Sequence, residues 1–458
     1  MKKIILLFTF CLLLYSSYSQ DRYVLTIDGM TTTSGTGFDG VINGAKNING
    51  QGSGFKIKSL NNTISLSSIY NPSDGVAASV ESLNKGIAPT EATDVLGIAH
   101  DFGGIVMRNM KSSNISAMIL DGVPNRGSQA IKEIIRKDSD GKYRVQKIFA
   151  DMKKLTGAGD CADCNIETRL NDFLEHIQAA EKGYKDILPD SKFVNAGNPT
   201  VPYAIMWGNI SKNSLSSMVS SFASPVDVNT NFYGKCITEQ INTKIAKKER
   251  EKNRLIISSV FTIFTDVVNL LTPVKVTNEV KDKDGNITTA FSITGVSIDK
   301  VTTLVKDIVT SIQQSKDLSE ELKNLLKCEL YMQTMSGLWE YLVSQNQFIT
   351  LKYEWTVDLF NCLEDCNNLS DDPPSKSMCM AECNQLYANQ TTTVTAYALR
   401  PNDGLLTDYE QQLDGAAKTY ELKEVNHYQE QNWFQGPVQA AFVDLFNGGA
   451  GVAFKIPK

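Results

Sequence analysis

Histidine is scarce in this chain, with three in 458 residues: His100, His176 and His427. A metal centre built on Asp28, Asp101 and Asp403 would therefore find few imidazole partners and ranks last among the chemistries considered. No metal or cofactor is expected. Excess positive charge is also missing, since 45 basic residues face 51 acidic ones. The pI near 5.4 leaves no electrostatic case for a nucleic-acid partner. A small molecule, a lipid-like compound or a neutral polymer fits better. Beyond the N-terminus no apolar run is long enough to span a bilayer, so no transmembrane segment is expected in the mature chain.

At this length a single ordinary domain is exceeded, and a core with an added domain or insertion is expected. Lys2 and Lys3 precede the apolar run Ile4 to Leu14, and Ser17-Tyr18-Ser19 forms a small-x-small cleavage site. Residues 1–19 thus read as a signal peptide, and the mature protein as secreted or periplasmic. Removing the signal removes Cys11 and leaves eight cysteines, an even number suited to disulfides in an exported protein. Cys362 and Cys366 lie one helical turn apart, as do Cys379 and Cys383, on either side of the turn at Asp371-Asp372-Pro373-Pro374. Nested bridges Cys362–Cys383 and Cys366–Cys379 follow. Four thiolates could instead bind zinc, which export argues against. Cys161 and Cys164 suit a small loop disulfide, and Cys236 then pairs with Cys328 by elimination. Nothing in the chain speaks to its oligomeric state.

Apolar runs at Tyr23–Ile27, Ile64–Tyr70, Val95–Ala99, Ile115–Leu120 and Val201–Trp207 read as strands. Helical patterns fall between them at Phe38–Ala45, Gly75–Leu83, Gly104–Met110 and across 129–188. Such alternation implies a parallel sheet with both faces covered. It pauses over 210–395, a stretch read as a mostly helical cap. That stretch holds a long helix over Ile237–Leu271, a hairpin across Asp284-Gly285-Asn286 and a helix carrying Val301, Leu304, Val305, Ile308 and Ile312. A last strand at Thr419–Val425 and a last helix at Val438–Phe446 follow. The expected organisation is a core over 20–209 and 396–458, interrupted by the insertion 210–395.

Ala99-His100-Asp101-Phe102-Gly103-Gly104 leaves a buried strand and opens a helix, with small residues at 99 and 103 allowing a sharp turn. Held in that turn, the Asp101 side chain would stand over the end of the sheet. The Phe102 amide, and a second from Gly29 or Met30, would face a developing oxyanion. This context resembles the nucleophile elbow of the α/β-hydrolases, whose lipases usually read Gly-His-Ser-x-Gly-Gly. Asp121-Gly122-Val123-Pro124-Asn125-Arg126-Gly127-Ser128 is similar to the segment after the next strand of those lipases, and Leu188-Pro189-Asp190-Ser191 is a weaker match. Asn402-Asp403-Gly404 and Val425-Asn426-His427 resemble their acid and histidine segments, in the same chain order. The resemblance covers about residues 22–207 and 396–445. It implies an α/β class fold: an α/β-hydrolase parallel sheet with a large, mostly helical, disulfide-bonded insertion.

Two departures bear on function. Asp28-Gly29 stands where such lipases show His-Gly, and Asp101 replaces serine, as in the His-Asp-Trp-Gly-Gly elbow of epoxide hydrolases and haloalkane dehalogenases. The resemblance then implies a hydrolase with nucleophile Asp101, base His427 and orienting acid Asp403. Attack at saturated carbon gives an alkyl ester that activated water hydrolyses. Such enzymes also need polar donors for the leaving atom, and by composition Tyr331, Trp339, Tyr341, Tyr353 and Trp355 qualify. The alternative is a lipase-like scaffold that binds a lipid or glycan without turnover. Plainer roles exist for each residue: His100 as a packed, hydrogen-bonded ring, His176 as a solvated one, Asp101 as a helix cap and Asp403 as a turn residue.

Overall fold

The computed structural model describes residues 22–30, 37–47, 57–90, 92–111, 114–158, 166–210, 241–271 apart from 242 and 246, 274–281, 287–294, 298–344, 349–355, 362, 366, 373–387, 390–398 and 400–456. Residues 1–19, expected to be a signal peptide, and Cys161, Cys164 and Cys236 lie outside them. In chain order the strands are β1 (Arg22–Ile27), β2 (Ile57–Ser59), β3 (Val95–His100), β4 (Ile115–Asp121), β5 (Tyr203–Asn209), β6 (Val274–Lys281), β7 (Ile287–Thr294), β8 (Ile349–Trp355), β9 (Gln390–Ala398) and β10 (Lys418–Lys423). The chain divides into two compact units, one holding residues up to 245 and Pro401–Lys458, the other holding Ala246–Arg400 with Leu155–Gly157.

The first unit is an α/β sandwich. Its six strands run in the order β10-β5-β4-β3-β1-β2, and every pairing is parallel. All six residues of β3 are buried, as expected for a strand covered on both faces. Alternation sorts the faces: Val24, Leu96, Ile98, Ala117, Ile119, Ala204, Met206 and Leu422 share one core with Phe38 and Val41 of the helix Asp39–Asn47. Phe442, Leu445 and Phe446 of the helix Gly436–Phe446 complete that core. The opposite face carries the helix Phe102–Asn109, packed against the helix Val76–Ile87. Strand β10 at the edge keeps an alternating, half-exposed pattern.

One expected strand is absent. Ile64–Tyr70 forms no strand; Leu60–Thr63 and Leu66–Ile69 are short helical turns on either side of Ser65, whose φ of 52° breaks the run. The strand at this edge is the three-residue β2. Beside β1 the side chain of Asn61 takes the place of a continuing backbone ladder, accepting from the Thr26 amide at 2.9 Å and donating to the Thr26 carbonyl at 2.9 Å.

In the second unit, helices Arg254–Leu271, Ile298–Gln314 and Glu320–Ser344 pack through Val260, Ile263 and Val267, Val301, Val305 and Ile312, and Leu322, Leu326 and Leu330. The long helix expected from Ile237 is interrupted at Asn253, between Lys247–Lys252 and Arg254–Leu271. No helix among the described residues is long and apolar enough to cross a membrane. Strands β6 and β7, on either side of the expected turn, pair antiparallel, but they belong to a four-stranded sheet, β7-β6-β9-β8, that a mostly helical insertion did not anticipate. Its signal was legible in β9, where Thr391-Thr392-Thr393-Val394-Thr395 is a run of β-branched residues. Bridges Cys362–Cys383 and Cys366–Cys379 form as nested, with Cα separations of 5.7 and 5.6 Å. Cys328 is disulfide-bonded as well.

Candidate functional site

Strand order reverses direction beside β1. The chain passes from β1 to β2 at one side, then crosses back over β1 to β3 and continues outward on the other side. The loops after β1 and β3 therefore diverge to opposite faces and leave a crevice at the C-terminal ends of the strands, where ligands of open α/β sheets bind. Asp28-Gly29-Met30 leaves β1 at this point, and Asp101 leaves β3.

Asp101 has φ 50° and ψ −128°, a conformation rarely adopted by residues with a side chain and one that stores strain at functional sites. Its side chain makes no cap bond to the helix it precedes, so the plain capping role is excluded. Close backbone approach fixes the turn. A Cβ on Gly103 would lie 2.5 Å from the Asp28 carbonyl oxygen and 2.6 Å from that of Ile27, and one on Gly29 would lie 2.6 Å from Asp101 Oδ2. Glycine at both positions lets the loop after β1 lie against the elbow. There the Met30 amide donates to Asp101 Oδ2 at 3.2 Å. His176 is not simply solvated: it is half-buried, and its Nε2 donates to the Met30 carbonyl at 3.0 Å, holding that loop from behind. Phe102 opens the helix, so its amide belongs to the first turn, which no helical carbonyl receives.

The other Asp101 oxygen, Oδ1, faces His427 Nε2 at 3.8 Å, beyond hydrogen-bond range, and that buried nitrogen has no hydrogen-bond partner. His427 Nδ1 donates to Asp403 Oδ2 at 2.8 Å. Asp403 Oδ1 accepts from the Leu405 and Leu406 amides at 2.8 and 2.7 Å, so this residue shapes its turn and orients the histidine together. Asp101, Asp403 and His427 thus meet in one row, although 302 positions separate the first two.

Electrostatics follow from burial and proximity. Burial opposes charge on Asp101, but the nearby His427 and His100 and the Met30 amide hold its pKa below the ordinary carboxylate value. Burial likewise opposes charge on His427, yet Asp403, Asp101 and Glu430 together raise its pKa well above the usual imidazole value. Asp403 is pushed up, chiefly by burial and also by Glu430. Both shifts favour a carboxylate on Asp101 facing an imidazolium on His427.

A small space over Asp101, about 20 Å³, is lined by Ile131, Phe173, Ile187, Leu405 and Leu406, with Tyr184 and Tyr428 among them. Burial raises both phenols, Tyr184 well above 10 and Tyr428 to about 12, so they remain protonated donors. The aromatic residues named from composition lie in the second unit. There Tyr331 and Trp339 are buried, and the side chains of Tyr353 and Trp355 fall outside the described residues. Behind the row sit two acids not anticipated from sequence, Glu430 and Asp121, both fully buried. The spacing His427-x-x-Glu430 was the available signal for the first. Asp121 ends β4 with neither carboxylate oxygen hydrogen-bonded, and burial followed by Glu430 raises its pKa well above the usual value.

The two segments that resemble lipase loops also meet. The Ser128 amide donates to the Ile187 carbonyl at 2.9 Å, and Ser128 Oγ caps the helix Gln129–Ile134. Buried Arg108 ties the flanking loops together through the carbonyls of Asn125, Val194 and Gly197, its pKa lowered by burial to about 10. Among the described residues Asp28, Asp101 and Asp403 do not converge as a ligand set. His100, His427 and Glu430 do bring donor atoms within 4.8 Å of one another. Hydrogen bonds already engage those atoms: His100 Nε2 donates to the His427 carbonyl at 2.8 Å, and His427 Nδ1 donates to Asp403. In comparisons with known proteins, no family model and no curated protein matches this chain.

Proposed function

We propose that the chain is an exported hydrolase of α/β-hydrolase type that uses Asp101 as nucleophile, His427 as base and Asp403 as orienting acid. The carrying observation is the split use of the Asp101 carboxylate, with Oδ2 held by the Met30 amide at 3.2 Å and Oδ1 turned toward His427. The parallel sheet, with its elbow at the switch point, supports the fold assignment. The nested disulfides fit an oxidising compartment.

In this mechanism Oδ1 attacks a saturated carbon as the bond to the leaving atom breaks, and an alkyl ester of Asp101 forms. The electron pair departs with a halide, or goes to an epoxide oxygen placed by the phenols of Tyr184 and Tyr428. For an epoxide, the proton on the His427 imidazolium neutralises that oxygen; for a halide it goes to solvent. Esterification removes the Asp101 charge, one of those that raise the His427 pKa, so the imidazole becomes a competent base at the step that needs one. It takes a proton from water, and hydroxide adds to Asp101 Cγ. The oxyanion then grows on Oδ2, against the Met30 amide. Collapse expels the alkoxide, which takes the proton from His427, and the carboxylic acid left on Asp101 returns its proton to the imidazole. Carboxylate attack on an ordinary ester would give a mixed anhydride instead, which disfavours lipase chemistry. The apolar lining suits a small, greasy electrophile.

The test is mass spectrometry of intact protein and its peptides after exposure to a panel of epoxides and alkyl halides. His427→Ala should accumulate one adduct on the Asp101 peptide, while Asp101→Ala forms none. A His427→Ala protein that stays unmodified by the whole panel would refute the nucleophile assignment.

A further inference from the structure

We propose that Glu430 is a second orienting carboxylate for His427, sharing the imidazole Nδ1–H with Asp403 and coupling His427 to His100. The proposal rests on the reading of His427 as the base. Its ground is geometric. Glu430 Oε2 lies 3.4 Å from His427 Nδ1, the atom that Asp403 Oδ2 takes at 2.8 Å, and 3.2 Å from His100 Nε2. Glu430 Oε1 is fixed by the Gly208 amide from the end of β5. The Glu430 backbone amide bonds the Asn426 carbonyl at 3.2 Å, placing the acid in the same turn as His427.

His100 completes the arrangement. Its Nε2–H points between the Glu430 carboxylate and the His427 carbonyl, and its ring lies tilted over the His427 ring with centroids 4.5 Å apart. One buried carboxylate thus touches both rings, and it holds His427 through the side chain directly and through the main chain by way of His100. Full burial makes such an acid costly unless its oxygens are engaged, and both are. A single orienting acid would leave Nδ1 with one acceptor. Two acceptors on different elements, the loop of Asp403 and the turn of Glu430, define the ring plane more tightly than one. The other ionisable groups facing His427 are Asp101 from the elbow, Asp121 from the end of β4 and the phenol of Tyr428.

Imidazole ¹⁵N NMR on histidine-labelled protein tests this, because the chain has only three histidines. Glu430→Gln should lower the His427 pKa by about 1–3 pH units, the effect of losing one close opposite charge, and should move the His100 signals too. Glu430→Asp, which keeps the charge, should recover at least half of that shift. In Asp403→Ala, read above the His427 pKa where the ring is neutral, the proton should stay on His427 Nδ1, with Glu430 as its acceptor. An unchanged His427 titration in Glu430→Gln, or transfer of the proton to Nε2 in Asp403→Ala, would overturn the assignment. The second variant decides the matter if the first does not fold. None of these readouts needs turnover. A wild-type protein inert to every electrophile would therefore sink the enzyme reading and leave the outcome here to stand or fall separately.

Discussion

Replacing Gly103 with alanine separates local propensity from tertiary fit. Gly103 lies in the first turn of the helix Phe102–Asn109, so propensity alone expects alanine to stabilise, by roughly 0.5–1 kcal/mol. The structure reverses the sign. The added Cβ would sit 2.5 and 2.6 Å from two carbonyl oxygens, those of Asp28 and Ile27, about 1 Å inside the ordinary separation of ~3.5 Å. Both are backbone atoms at the end of β1, a central strand, and neither can swing aside as a side-chain tip would. Overpacking of this kind costs about 1–3 kcal/mol, and the rigid neighbours place it in the upper part of that range. Less the propensity gain, Gly103→Ala should destabilise the first unit by about 1.5–2.5 kcal/mol. Hydrogen exchange followed by mass spectrometry on peptides from β3 and the elbow should show protection reduced roughly ten- to seventyfold. Gly436→Ala, where the new Cβ meets nothing within 4 Å, serves as the control and should change little. Equal protection in wild type and Gly103→Ala would refute the claim that β1 packs directly on the elbow.

Other expectations follow from the same geometry. Asp101→Ser should introduce ester hydrolysis if the site descends from an esterase, since the Met30 amide and the His427–Asp403 pair are already placed. Wild type inert to all electrophiles, together with an active serine variant, would favour the non-catalytic binding scaffold. The His427 pKa is raised in the folded state. Its ion pairing therefore stabilises fully below the unfolded pKa of about 6.5 and is lost as pH rises through the folded value. His427→Gln should flatten the alkaline decline in stability seen by urea unfolding at stepped pH; an unaltered decline would show that another group is responsible. Thiol titration of denatured, unreduced protein should find no reactive thiol once residues 1–19 are removed, and two or more would contradict complete pairing of the eight cysteines from Cys161 to Cys383.

Much of the core was legible in the chain because its determinants are local. A strand buried on both faces must be continuously apolar, so β3 and β4 announce themselves in Val95–Ala99 and Ile115–Leu120. A sharp turn needs small residues, and Ala99, Gly103 and Gly104 mark the elbow. Cysteines one helical turn apart on either side of a turn suit nested bridges, and those bridges form. What failed was also local in origin: the run from Ile64 looked like a strand because apolar residues recur there, but Asn61 had already occupied the edge of β1. Only the tertiary structure decided which ionisable groups share a site. Asp121 and His176 carry no mark of their roles in sequence, and Glu430 only its spacing from His427, because a carboxylate or imidazole gains its role from what buries it and which atoms come within about 3 Å. The elbow lies 302 positions before Asp403, which is 24 before His427, and a parallel sheet brings all three together by delivering its strand ends to one edge.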